Sequence, residues 1–195
     1  MLNIVLQKFL AIFSLEHEQP IDLVKSQWQR KEKSVIYLIY RWMITAFYMF
    51  SLIYSFYISY IRGDLQLHFI YLTNLSMLTS VIFTLIGASL VTFHYTDQLK
   101  ITKMTFWLKV YWILSTCCTF LAILASVVYW LILHDNKDEL DVNNIILHMT
   151  NSFIALDCLI VKYKFKLLHY IWPLLFGLIY TCFSFIYPSL GGLNR

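Results

Sequence analysis

Residues 37–60 read YLIYRWMITAFYMFSLIYSFYISY, an apolar and aromatic run interrupted by one charge, Arg41. The hydrocarbon core of a bilayer is about 30 Å thick, and a helix rising 1.5 Å per residue needs about 20 apolar residues to cross it. The run is long enough for one crossing. It is also far longer than the ~10-residue alternating segments of a membrane β-barrel, which makes strands a poor alternative. Outward from it, four more runs meet the same criterion, at residues 69–93, 107–133, 143–161 and 167–187. The connections at 61–68, 94–106, 134–142 and 162–166 are short and polar or charged. There is no Gly/Ser linker, low-complexity tract or internal repeat.

The whole composition agrees with that reading. Of 195 residues, 59% are hydrophobic, 18% aromatic and 13% charged, and the mean hydropathy is +0.65. A soluble domain carries about 45–50% apolar and about 25% charged residues, and so short a chain cannot hide the excess from water. Five glycines and three prolines exclude collagen and low-complexity disorder. The expectation is an all-α, polytopic transmembrane helix bundle of about five spans. Residues 35–195 form that domain, and residues 1–34 form an N-terminal segment. Its first fifteen residues lack a basic start and a cleavage site, so they do not read as a signal peptide. Their polar side (Asn3, Gln7, Ser14) suits either an interfacial helix or packing against the bundle.

Charge sets the orientation. Eleven of the fifteen Lys and Arg fall before the first run, in the second connection with its flank, or in the fourth connection. Three (Arg62, Lys137, Arg195) fall on the opposite side. The positive-inside rule then puts the N-terminus in the cytoplasm, in the plasma membrane or the endoplasmic reticulum, with the acidic third connection outside. The net charge of +4 is gathered in these flanks, so it is not a nucleic-acid signal. The bilayer itself is the first partner. Cys117, Cys118, Cys158 and Cys182 lie in apolar runs without zinc spacing and read as small buried hydrophobes.

Polar groups at membrane depth need partners. Arg41 and Asp157 each lie about four residues above the inner end of a run, at equal depth and with opposite sign. They read as an intramembrane ion pair serving as structural glue. The alternative stays open that Arg41 snorkels to inner-leaflet phosphates while Asp157 bonds to His169 or is protonated. Near the outer side, Thr73 and Asn74 face the depth of His148, Asn151 and Ser152, a polar pocket opening to the outer leaflet. His148, Asn151, Ser152 and Ala155 share one helical stripe, and Thr73, Ser76, Ser80 and Thr84 another. Close helix packing with interhelical hydrogen bonds, the usual role of small polar residues in membranes, accounts for both stripes without a pocket. His68 and His134 could approach from the outer connections, yet the spacing has no metal signature, and no metal or cofactor is expected. Asn74-Leu75-Ser76 matches the glycosylation pattern, but its place within a span argues against modification.

Several segments in order carry a resemblance. They are Ser26-Gln27-Trp28-Gln29, Tyr71-Leu72-Thr73-Asn74, His148-Met149-Thr150-Asn151-Ser152 with Asp157, the run LLHYIWPLLFGLIY from Leu167, and Gly191-Gly192-Leu193-Asn194. Over about residues 22–194 the chain resembles the rolling stone family of multi-span membrane proteins. That resemblance implies action through protein or lipid partners, in membrane or cell fusion or differentiation, without an assigned reaction. The chain departs from the family at Met149 and Leu75, where Gly and Trp are expected. It also ends where the family continues into a further span, which suggests a fragment, an alternative product or a truncated gene.

A more distant resemblance is to the androgen-induced and androgen-dependent hydrolases of fatty acid esters. It places a nucleophile at Thr73 and a histidine pair at His148 and position 151. The catalytic histidine falls on Asn151, which cannot act as a base. An intramembrane threonine hydrolase of lipid esters is therefore the second reading, and a small transporter or channel the third. The first reading is not an enzyme.

Overall fold

The computed structural model describes residues 15–133, 142–163 and 166–189. The helix expected within the first fifteen residues, as well as His134, falls mostly or wholly outside the described residues, and within the fourth long helix the side chains of His148 and Ser152 are outside them too. The described chain is a helical bundle. Its long elements are α1 (Val35–Arg62), α2 (Leu72–Tyr95), α3 (Phe106–Val128), α4 (Val142–Asp157) and α5 (Ile171–Ser189). Three of them are long and apolar enough to cross a membrane: α1, α2, and α3 with its extension to Leu131. The chain is an integral membrane protein. The apolar part of α5 is shorter, and α4, at 16 residues, is about 24 Å long.

Local chemistry sets the ends. The Ser34 hydroxyl accepts the Tyr37 amide at 3.3 Å and caps α1. Gly63, at φ +74°, closes it in the left-handed conformation, with Asp64 N–H returning to the Ser59 carbonyl at 3.1 Å. The second span begins at Leu72 rather than at residue 69, because a separate 3-10 turn, Leu65–Ile70, comes first and Tyr71 is extended. α3 loosens into a π turn, Tyr129–Leu133. A 3-10 turn, Leu167–Tyr170, likewise opens the last span.

The fourth span departs most from expectation. It stops at Asp157 instead of continuing to residue 161. The Asp157 carbonyl accepts the amides of Ile160 (2.9 Å) and Val161 (3.2 Å), turning the chain out of the helix. The N-terminal segment then takes up the freed backbone. Ser26 and Val161 form an antiparallel bridge, Gln27 N–H donates to the Ile160 carbonyl (2.9 Å), and Lys162 N–H to the Lys25 carbonyl (3.0 Å). The Gln27 side-chain amide adds a bond to the Leu159 carbonyl. Just before these residues the 3-10 turn Pro20–Val24 buries Leu23 and Val24 against the bundle. Non-helical backbone survives at this end of the bundle because protein on both sides satisfies it.

α2 and α3 form the middle of the bundle. α1 packs on α2 and α4 on both, while α5 touches mainly α3. The helices meet on small residues, among them Ser51, Ser80, Ala88, Ser115 and Ala122, all buried. Large apolar side chains such as Ile36, Leu131 and Phe185 point outward, where lipid rather than water is the solvent. Cys117 and Cys118 are buried, but Cys182 is exposed on this outward surface of α5, against the expectation of burial.

Candidate functional site: a buried charge lock and a second polar cluster

Six residues into α1, Arg41 is fully buried. Its Nη1 donates to both Asp157 oxygens, at 3.1 and 2.9 Å, and its Nη2 donates to the Tyr111 hydroxyl at 2.9 Å. The Tyr40 hydroxyl donates to Asp157 Oδ1 at 2.6 Å. The guanidinium carbon lies 5.5 Å from the Phe83 ring centre and 5.7 Å from that of Tyr111, close enough for cation–π attraction. One charge pair thus ties α1 to α3 and α4 and is walled by α2. Asp157 is the last residue of α4, where the helix dipole disfavours a carboxylate. Arg41 offsets that unfavourable placement. The geometry also differs from the expected depth of four residues above a helix end, because the helix ends at Asp157 itself. His169, the other partner considered for Asp157, packs edge-on to Trp112 with ring centres 4.4 Å apart.

The wall of α2 is a glycine for a steric reason. A Cβ at Gly87 would stand 2.2 Å from Arg41 Nη2 and 2.7 Å from a Tyr111 ring carbon. Below the pair, Tyr163 packs edge-on to Tyr111 at 5.9 Å. Tyr163 and the neighbouring Val161 are buried beneath α4, and the N-terminal segment pairs with this same stretch.

The polar groups around the start of α2 divide between two partners. The Asn74 amide donates to the His68 carbonyl at 2.8 Å, and the Ser55 hydroxyl lies 3.5 Å from Asn74 Oδ1. The Ser59 hydroxyl is 2.9 Å from His68 Nδ1, and the imidazole stacks on Phe56 with centres 4.2 Å apart. Burial of His68 pushes its pKa below the ordinary value, while Asp64 acts in the opposite direction. Asn151, fully buried, instead accepts the Ser76 hydroxyl at 3.1 Å, joining α2 to α4. Thr150, buried next to it, presents its carbonyl to the Tyr48 hydroxyl at 2.8 Å. Thr73 is the second residue of α2 and partly exposed. The rest of the expected stripe turns back on its own helix, with Ser80 bonding to the Ser76 carbonyl and Thr84 to that of Ser80.

Among the described residues, no three His, Cys, Asp or Glu side chains converge as metal ligands. Tyr40, Tyr111 and Gly87 take part in the lock and were not singled out in the sequence. Gly87, an isolated glycine within a strongly apolar helical run, is the signal that could have found them, since such a glycine usually has a packing reason.

A membrane bundle held by a buried arginine–aspartate pair and capped by its own N-terminal segment is the class that fold and site define. The sequence model of protein rolling stone matches residues 2–195. Protein rolling stone of Drosophila melanogaster is 30% identical over 199 residues, spanning 95% of this chain and 71% of the fly protein. The chain belongs to the rolling stone family. No solved structure matches it.

Proposed function

We propose that this chain is a non-enzymatic rolling stone protein that acts through protein or lipid partners, with its N-terminus in the cytoplasm, at the plasma membrane or the endoplasmic reticulum. The family resemblance suggests membrane or cell fusion or differentiation as the setting. The observation that carries the reading is the bond from Ser76 to Asn151. The residue standing where related hydrolases carry a base is an amide committed to a helix–helix contact. It can accept and donate hydrogen bonds but cannot take a proton at neutral pH. General-base assistance is typically worth about 10²–10⁴ in rate, and a threonine hydroxyl is a weak nucleophile without it.

The test uses the purified protein with a fluorophosphonate probe and a panel of fatty acid esters of hydroxy fatty acids. The expected result is no labelling at Thr73 and no measurable hydrolysis. Hydrolysis by the unmodified protein that disappears in Thr73→Ala and in His148→Ala would overturn the reading and establish the lipid-ester hydrolase in its place.

A further inference from the structure

At the end of the bundle where α1 begins and α2 ends lies a hollow of about 740 Å³, lined by Trp28, Arg30, Lys31, Lys33, Ile36 and Tyr95 among others. We propose that this hollow binds the phosphate-bearing head group of an anionic phospholipid. The claim rests on the proposed cytoplasmic N-terminus, since the cytoplasmic leaflet is the one rich in anionic lipid.

Three features of the hollow point to that ligand. The first is a fixed loop. The Gln29 side-chain amide donates to the carbonyls of Lys31 (2.9 Å) and Glu32 (2.8 Å), and the Ser26 amide donates to Gln29 Oε1 at 3.4 Å. Arg30 and Lys31 therefore project from a braced turn and not from a free tail. The second is charge. Lys33 is committed to Asp97, which joins the start of α1 to the end of α2 and holds the Asp97 carboxyl below its ordinary pKa through the Lys33 hydrogen bond. Among the described residues no carboxylate forms an ion pair with Arg30 or Lys31, and both are exposed. The first turn of α1, Ser34 to Ile36, with its positive dipole end, forms the adjoining wall. The third is the rim. Trp28 is 67% exposed and Ile36 78% exposed beside the basic groups. An indole and an aliphatic side chain at the level of the cations suit a ligand with a charged head and acyl chains. A free phosphate ion would use the cations alone and leave both the volume and the apolar rim idle.

Native mass spectrometry of the detergent-solubilised full chain, with phosphatidylserine or phosphatidylcholine added, tests the assignment. The unmodified protein should retain phosphatidylserine in preference to phosphatidylcholine. Arg30→Gln with Lys31→Gln should reduce that preference by roughly thirtyfold, about fivefold for each charge near a membrane surface. Both side chains are exposed, so the thermal midpoint should not move, and an unchanged midpoint certifies the variant as folded. Phosphatidylserine retention in the double variant equal to that of the unmodified protein would overturn the proposal. Displacement of the lipid by millimolar inorganic phosphate would also overturn it, assigning the hollow to a free anion. Ester hydrolysis by the protein would refute the proposed function and leave this result untouched, so the two failures are distinguishable.

Discussion

Gly87 and Arg41 occupy mutually exclusive space: the guanidinium of Arg41 fills the volume in which a Cβ at position 87 would stand, 2.2 Å from Nη2. Arginine tips are normally free to swing aside. This one is held by Asp157 and Tyr111 and faced by the Phe83 ring, so it cannot yield without giving up hydrogen bonds in a medium that offers no replacement.

Gly87→Ala should therefore destabilise the protein, although alanine is the better helix former by about 1 kcal/mol. Overpacking costs of roughly 1–3 kcal/mol are usual even where no charge is displaced. Thermal unfolding in detergent is the check. A midpoint equal to or above that of the unmodified protein would mean that the guanidinium has room to move.

His68 predicts an acid limb in stability. Its folded pKa lies below the ordinary 6.5, so the folded state binds fewer protons than the unfolded chain. The stability it contributes is complete above the unfolded pKa and is lost as pH falls from there through the folded pKa. Midpoints measured between about pH 7.5 and about pH 5.5 should decline on acidification, and His68→Gln should flatten the decline. An identical slope in the variant would place the titration elsewhere.

The asymmetry of Lys and Arg predicts the topology. In a background with Cys182, the exposed cysteine of α5, replaced by alanine, single cysteines at Asn136 and at Lys164 should label differently with an impermeant thiol reagent on intact cells. Labelling at Asn136 and protection at Lys164 is expected. The opposite pattern would reverse the orientation.

Much of the fold was legible because bilayer thickness imposes a long apolar run that few other structures need. The first three spans required only length, composition and the polar breaks between them. The end of α4 was not legible. Residues 158–161 are as apolar as the helix before them, and what stops the helix is pairing with Lys25 and Gln27, more than 130 positions away. Nothing in the local sequence reports a partner so distant. Within the site, Arg41 and Asp157 announced themselves as charges at depth. Tyr111 did not, since a tyrosine in an aromatic-rich span is unremarkable until its hydroxyl is seen to receive Arg41. The outer stripe was readable as polar, but not in how it divides. Whether a serine bonds across helices, as Ser76 does, or back to its own carbonyls, as Ser80 does, depends on the neighbour and not on the period.

The central claim is that the buried polar groups of this bundle hold helices together. The Arg41–Asp157 pair, 2.9 Å apart and shielded from solvent, is where that claim is most exposed to test. The most direct measurement is a double-mutant cycle on the thermal stability of detergent-solubilised protein, using Arg41→Gln, Asp157→Asn and the double variant. Asp157→Asn alone leaves a buried cation without its counter-charge and should cost about 3–5 kcal/mol. The double variant should recover a large part of that loss, giving a coupling energy well above the ~0.5 kcal/mol scatter of independent sites. Additive losses within that scatter would contradict the account, because the two charges would then be buried side by side without holding the helices to one another.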